Sequence, residues 1–249
     1  MQVTALALDP LPEVSPGAAL ASLLQAASSR PFAATDVLVV SHKVVSKAEG
    51  QLVALADVSP SQRAIDLAQK LGRDDPELIE VVLSQTAEVV RAEGGVLICR
   101  TIHGFVCANA GVDRSNSGPD ADCVLLPADP DASARALRAA LPGRPAVVIA
   151  DSFGRAWRRG ECDIAIGAAG LTPIDDRRGL NDRDGRELSV SSIAIADQAA
   201  AAADLARGDK AAGRPAVLVT GLDAFVTEAD GPGVSELLRP AGEDLFGAR

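Results

Sequence analysis

Aromatic side chains are scarce in this sequence, which has five Phe, one Trp and no Tyr among its 249 residues. A surface that stacks nucleobases needs several exposed aromatic rings, so the composition argues against that kind of site. Basic residues are also the minority, 24 against 34 acidic ones, which gives a formal net charge of −10. Because nucleic-acid backbones are bound by basic faces, we expect no nucleic-acid partner.

Cysteine and histidine are too few for a typical soft-metal centre. The two histidines, His42 and His103, do not make a histidine-built zinc site, and no two cysteines form a CxxC pair. The four isolated cysteines are Cys99, Cys107, Cys123 and Cys162. Isolated cysteines among apolar residues are predicted to fill core in a reducing compartment.

The sequence also lacks long apolar runs and a basic leader. No run approaches the roughly 20 apolar residues of a membrane span, and the first residues do not form a signal peptide. We therefore expect no membrane partner and a cytoplasmic location. Hydrophobic residues make up 47% of the chain, enough for a buried core, so residues 1–249 are predicted to form a single domain. Two intertwined lobes are the alternative description.

The pattern of elements predicts an α+β fold of mixed β-sheets with flanking helices. Residues 36–41 and 146–152 are the clearest buried strands, and 130–141 is an amphipathic helix. Residues 76–92 are predicted to be helical, and the Ala-rich stretch 192–208 forms a long helix. Some strands are adjacent in sequence and others alternate with helices, which favours mixed sheets.

The common phosphate and calcium motifs are missing. There is no Walker A sequence, and GPGVSE at 231–236 has Glu236 where a dinucleotide-binding loop needs glycine. The DRDGRE segment resembles a calcium loop, but Gly185 at loop position 6 places Leu180 and Ser191 at ligand positions. We read that segment as a β-turn.

Charged residues instead cluster at the predicted ends of strands and helices. The segment SHKVVSKAEG at 41–50 contains two lysines. Taken alone, it suits the solvent-exposed end of a strand, but lysines after a strand can also bind a phosphate group through their charge. The small-residue loop ANAGVDRSNSG at 108–118 contains Asp113, and Asp151 is expected at the end of a buried strand. Asp209 follows the Ala-rich helix. Carboxylates brought together raise one another's pKa unless a cation lies between them, so a divalent metal is predicted there.

Five segments, in this order, resemble the F420-0:gamma-glutamyl ligase family: VVSHKVVSKAEG, ANAGVDRSNSG, LLPADPDASARALR, IADSFGRAWRRGECDIAIGAAGL and SIAIADQAAAAADLARG. The resemblance runs from about Leu11 to Thr220 and corresponds to the stand-alone form, without a nitroreductase-like domain. The family joins L-glutamate to the deazaflavin precursor F420-0, and further gamma-linked glutamates to F420-1, using GTP and a divalent cation. The resemblance implies the family's fold, small-molecule substrates and a homodimer.

The resemblance also implies roles for individual residues. It implies GTP contacts from Leu11, Pro12, Glu13, Val14, Ser41, His42, Lys47, Asn116, Gly208 and Lys210. It implies Mg²⁺ or Mn²⁺, with K⁺ as a further cation, and metal ligands Asp113, Asp151, Ser152 and Asp209. Lys47, Asp113 and Asp151 are implied to be catalytic. The chain departs from the family pattern at four positions, with Ser152 for threonine, Ala156 for proline, His42 for a small polar residue and Asp209 for a longer Glu or Gln.

The residue types agree with this chemistry. A carboxylate does not condense with an amine at neutral pH until it is activated, and transfer of the GTP γ-phosphoryl group makes an acyl phosphate. That step needs charge neutralisation by metal and basic residues, and little covalent chemistry from protein. Two alternatives stay open: a metal-dependent phosphotransferase or phosphatase, and a non-catalytic binder of nucleotide or deazaflavin. The number of carboxylates argues against the binder.

Overall fold

The computed structural model describes residues 2–119 and 121–244 of the chain. In chain order its strands are β1 (Thr4–Ala7), β2 (Val37–Ser41), β3 (Leu52–Val53), β4 (Thr86–Glu93), β5 (Val96–Thr101), β6 (Val106–Ala108), β7 (Cys123–Val124), β8 (Ala146–Arg155), β9 (Arg158–Ala169), β10 (Ile174–Asp176), β11 (Ser192–Ala194) and β12 (Ala216–Thr220). The α-helices are α1 (Leu20–Ala27), α2 (His42–Ala48), α3 (Gln62–Leu71), α4 (Pro76–Ser84), α5 (Pro130–Ala140) and α6 (Ile195–Arg207).

A five-stranded sheet in the order β1-β12-β2-β8-β9 forms the centre of the structure. Only β2 and β8 run parallel, and the other neighbours are antiparallel. Residues 37–40 and 146–149 are fully buried because helices α5 and α6 pack against this sheet. The prediction of an α+β fold with mixed sheets and flanking helices is therefore confirmed, while the single-domain prediction stays a prediction.

A second cluster of buried side chains lies under helices α3 and α4 and the sheet β4-β5-β6. Ile79, Val82 and Leu97 are at its centre. The loop that follows β6 begins in this cluster, because Ala110 and Val112 are buried there. This packing fixes one end of the small-residue loop that carries Asp113.

The prediction of a helix over residues 76–92 is wrong beyond Ser84. The chain turns into strand β4, which pairs with β5 through the two-residue turn Gly94–Gly95. Both glycines have positive φ, 59° and 78°, as a tight hairpin turn of the mirror-image type requires. Two adjacent glycines between the strands are the sequence signal of such a hairpin.

Two further expectations about the candidate site are corrected. Residues 42–48 form helix α2, not a strand end, because His42, Val45 and Ser46 recur at helical spacing and are all buried. Asp151 and Ser152 lie inside strand β8, which continues to Arg155 in a long hairpin with β9. Strand length depends on the partner strand, and a single segment of sequence does not show its partner.

All four cysteines are free thiols, three of them buried: Cys99, Cys107 and Cys123, with Cys162 partly exposed. Their predicted role as core-filling residues is confirmed for those three. Among the described residues, no helix has both the length and the apolar character needed to cross a membrane.

Helix α5 lies so close to the sheet at Gly167 that we expect a larger residue there to destabilise the fold. A methyl group there would overlap the backbone carbonyl of Pro130, the first residue of α5, which has no room to move aside. Gly167→Ala should lower the free energy of unfolding by about 1–3 kcal/mol in a denaturant titration. Gly154→Ala is the matched control, since it lies in the same hairpin and a methyl group there meets nothing within 4 Å. Equal losses in both variants would contradict the packing argument.

Candidate functional site

A cavity of about 450 Å³ opens where the parallel strands β2 and β8 approach their carboxyl ends. Most residues implied by the family resemblance line it: Leu11, Pro12, Glu13, Val14, Ser41, Lys47, Asp113, Asn116, Asp151, Ser152 and Asp209. Gly208 is not among the lining residues, and the Lys210 side chain lies outside the described part of the chain. Five separate segments of the sequence therefore meet at one place.

Helix α2 presents both of its lysines to this cavity. Lys43 and Lys47 are four residues apart, so they lie on one face of the helix. The helix makes both lysines part of the site, and Lys47 is buried with 5% of its surface exposed.

The loop that carries Asp113 approaches the cavity closely because its residues are small. Asn109 and Ala110 adopt left-handed backbone, and Arg73 holds Asn109 through a 3.1 Å hydrogen bond to its side-chain oxygen. At Gly118, with φ of 99°, a methyl group would lie 3.1 Å from the carboxylate of Glu13. The positive φ is what requires glycine here, since the Glu13 carboxylate is the end of a flexible side chain that can move slightly aside.

Each of four carboxylates around the cavity is paired with a basic side chain. The pairs are Glu13 with Lys47 at 2.5 Å, Asp113 with Lys43 at 2.7 Å, Asp151 with His42 at 3.3 Å, and Asp163 with Arg207 at 2.8 Å. The two lysines of α2 are thus paired with Glu13, an implied GTP contact, and with Asp113, an implied metal ligand. In this state the two lysines of α2 and Arg207 neutralise Glu13, Asp113 and Asp163, and His42 lies beside Asp151.

Burial and pairing act in opposite directions on Asp113. Burial raises the pKa of its carboxyl group, while the hydrogen bond from Lys43 and that from the Ser115 backbone N–H lower it. The lowering effects are larger in sum, and the pKa lies below its ordinary value. Asp113 is therefore an anion at neutral pH, as a metal ligand must be.

His42 lies behind the cavity, not in its wall. Only 1% of its surface is exposed, its Nδ1 is 3.4 Å from the Ser46 hydroxyl, and its Nε2 faces Asp151. The structure thus places His42 beside an implied metal ligand, and its contact with GTP stays a prediction.

Cys107 also lies close to Asp151 and is not a candidate nucleophile. Burial raises the pKa of its thiol to about 12, and the negative charge of Asp151 adds to the effect. A thiol with that pKa stays protonated at neutral pH and is unreactive. This agrees with a site that works through charge and not through a covalent enzyme intermediate.

The donor set of the cavity fits a hard divalent cation. Asp113, Asp151, Ser152 and Asp209 offer carboxylate and hydroxyl oxygens, the ligands that Mg²⁺ and Mn²⁺ prefer. In the described part of the chain, no three His, Cys, Asp or Glu side chains are close enough together to hold a metal ion. The chemistry of these ligands therefore fits a cation, but their convergence on one stays a prediction. It requires Asp113 to separate from Lys43 first.

Sequence reasoning missed Asp163 and Arg207. Asp163 is 1% exposed, accepts a 2.6 Å hydrogen bond from the Ser152 hydroxyl and is paired with Arg207 through its other oxygen. Ser152 and Asp163 are direct partners in the β8–β9 register. Because the hydroxyl proton of Ser152 is donated to Asp163, the lone pairs of its oxygen are free to bind a cation. Only the strand register reveals this connection.

The buried pair predicts a large effect of Asp163→Asn on stability. The change leaves the mostly buried Arg207 without its counter-charge, so the free energy of unfolding should fall by about 3–5 kcal/mol in a denaturant titration. Asp176→Asn is the control, because Asp176 pairs with Arg178 on the exposed surface, and it should have no measurable effect. Equal changes in the free energy of unfolding of the two variants would show that the Asp163–Arg207 pair does not stabilise the fold more than an exposed pair.

Comparison with known proteins identifies strong similarity along the chain. A profile of the family described as F420-0:Gamma-glutamyl ligase matches residues 10–221. The chain is 39% identical over 253 residues to the coenzyme F420:L-glutamate ligase of Methanothermobacter thermautotrophicus, and 99% of each chain is covered. It is 40% identical over 249 residues to the protein of that name from Methanopyrus kandleri, with 97% of each chain covered. The Natronomonas pharaonis relative is 44% identical over 220 residues, with 86% of this chain and 85% of the relative covered.

Proposed function

We propose a specific reaction for this chain, which belongs to the F420-0:gamma-glutamyl ligase family: it joins the amine of L-glutamate to coenzyme F420-0, and to F420-1, with GTP as the source of energy. The observation that carries the proposal is the cavity in which two lysines of α2 face the oxygen ligands Asp113, Asp151 and Ser152. This combination suits phosphoryl transfer, in which the protein mainly positions groups and neutralises charge.

The reaction is an exchange of bonds in two steps. A carboxylate oxygen of F420-0 attacks the γ-phosphorus of GTP, the bond to the β–γ bridging oxygen breaks, and GDP leaves with an acyl phosphate formed. The glutamate amine then attacks the acyl carbon, an amide forms, phosphate leaves, and the amine loses a proton. Lys43 and Lys47 contribute positive charge where the phosphoryl group passes, because both line the cavity.

Asp113, Asp151, Ser152 and Asp209 would hold the divalent cation. When bound, Mg²⁺ or Mn²⁺ supplies charge neutralisation for the phosphate oxygens. The ion pairs of the described state indicate what must change first: Lys43 is paired with Asp113 and Lys47 with Glu13. Nucleotide phosphate takes over the lysines, which releases Asp113 for the cation.

Incubation of the protein with F420-0, GTP, Mg²⁺ or Mn²⁺ and L-glutamate tests the proposal. Mass spectrometry should show F420 with one or more added glutamates and a matching amount of GDP. Asp151→Asn should abolish product without unfolding the chain, since it removes one oxygen ligand at the cavity wall. Phosphate release without a glutamylated product would favour the phosphatase or phosphotransferase alternative. Binding of nucleotide or deazaflavin without any turnover would favour the non-catalytic binder.

Removal of either lysine of α2 is expected to affect kcat more than it affects GTP binding. Lys47→Ala should lower kcat for the ligase reaction about 10²–10³-fold, because its charge acts most strongly on the transferring phosphoryl group, and should weaken GTP binding less. Lys43→Ala should also lower kcat, since the helix places both lysines on the same face. Lys70→Ala, in the last turn of the distant helix α3, is the control. Full turnover by Lys47→Ala would refute the assignment of Lys47 as a catalytic residue.

The homodimer, the further K⁺ ion and the cytoplasmic location implied by the family resemblance stay predictions.

A further inference from the structure

The β8–β9 hairpin extends past the cavity and ends in a group of basic and aromatic residues. Strand β8 carries Asp151 and Ser152 in the cavity wall and then continues to a turn at residues 156–157. The cavity lining reaches Glu161, whose partner in the hairpin is Gly154. Since a strand rises about 3.3 Å per residue, Arg155 lies roughly 10 Å beyond Ser152, at the rim of the cavity. We call residues 154–160 the arginine hairpin.

The charge of this segment is opposite to that of the chain. The arginine hairpin, with sequence GRAWRRG, contains three arginines and no acid in a protein of net charge −10. Arg158 and Arg159 are exposed, and neither side chain has an ion pair or hydrogen bond among the described residues. The exposed arginines of the neighbouring loop, Arg177 and Arg178, are by contrast paired with Asp175 and Asp176. Two unpaired cations at the mouth of a cavity attract an anion.

The only tryptophan of the chain lies in the same turn. Trp157 is 80% exposed, although a tryptophan normally contributes more to stability when buried than almost any other residue. The turn that carries it is braced, because the Arg155 guanidinium donates hydrogen bonds to the carbonyls of Arg159 at 2.6 Å and Gly160 at 3.4 Å. An exposed indole on a braced turn, flanked by unpaired arginines, is suited to stacking on a flat ring that carries negative charge.

We propose that the arginine hairpin binds the deazaflavin substrate, with Trp157 against the flat ring system and Arg158 and Arg159 against its negative charge. This inference rests on the proposed function, which places the acceptor carboxylate beside the γ-phosphate inside the cavity. The remainder of that substrate must extend outward, and the hairpin is the next part of the strand beyond Ser152. Each glutamate added to the product consumes one carboxylate and brings two, so longer products gain negative charge and bind the same arginines.

The lone tryptophan provides a direct measurement. Titration of the full chain with F420-0, without GTP or glutamate, should quench the fluorescence of Trp157 in a saturable manner, with no background from other tryptophans. Arg158→Ala/Arg159→Ala should raise the Kd about tenfold, and raised ionic strength should weaken binding by the wild-type chain. Arg177→Ala/Arg178→Ala, which removes two exposed but paired arginines, should bind F420-0 like the wild type.

Steady-state kinetics separates this site from the nucleotide site. At saturating GTP and glutamate, the Arg158/Arg159 variant and Trp157→Ala should raise the KM for F420-0, Trp157→Phe should retain most affinity, and the KM for GTP should not change. A wild-type KM for F420-0 in the first two variants, in a protein that makes the glutamylated product, overturns the inference and leaves the proposed function intact.

If the wild type makes no product, the proposed function fails, while quenching that depends on the arginines still supports the binding site. A changed oligomeric mass in light scattering with an unchanged KM would identify the hairpin as a contact between copies of the chain and overturn the proposal.

Discussion

Neutralisation of carboxylates by basic side chains is the interaction on which the rest of this site depends. Acidic residues from four segments line one cavity, and like charges so close together would raise one another's pKa or drive the segments apart. Helix α2 contributes two lysines, and the end of α6 contributes Arg207. The cavity can therefore form before any ligand arrives, which lowers the cost of ordering it when a ligand binds.

The central sheet explains why these charges meet. The parallel pairing of β2 with β8 sets Ser41 beside Ala150, so that α2 begins next to Asp151. The antiparallel return through β9 brings Asp163 opposite Ser152 and under the end of α6. One parallel and one antiparallel contact of β8 thus define the site. If β2 and β8 were antiparallel, the start of α2 and Asp151 would lie at opposite edges of the sheet.

The sequence allowed much of this to be predicted, and the failures have physical causes. The resemblance in residues 39–50, 108–118 and 149–171 pointed to Lys47, Asp113 and Asp151, because local sequence is visible along the chain. The structure places all three in one cavity, and their roles stay predictions. Asp163 was not identified, since its connection to Ser152 exists only through strand register. The hairpin 86–101 was missed because its helix-like hydrophobic pattern concealed the turn chemistry of two adjacent glycines. Pairing between strands is a non-local property, and single segments do not contain it.

The ion pairs around the cavity differ in how exposed they are, and therefore in how easily they can separate. Glu13 is 57% exposed and Asp113 36% exposed, so water can solvate either carboxylate when its lysine leaves, whereas the buried Lys47 needs another anion in place of Glu13. Asp163 is buried with Arg207, and breaking that pair costs about 3–5 kcal/mol. In the proposed reaction a nucleotide phosphate is that anion for Lys47, while the Asp163–Arg207 pair remains in place and keeps the Ser152 hydroxyl aligned. The two carboxylates that can be solvated are on the more exposed side of the cavity and the Asp163–Arg207 pair is buried, so on the proposed function a ligand would exchange the former without disturbing the strands that carry Asp163 and Ser152.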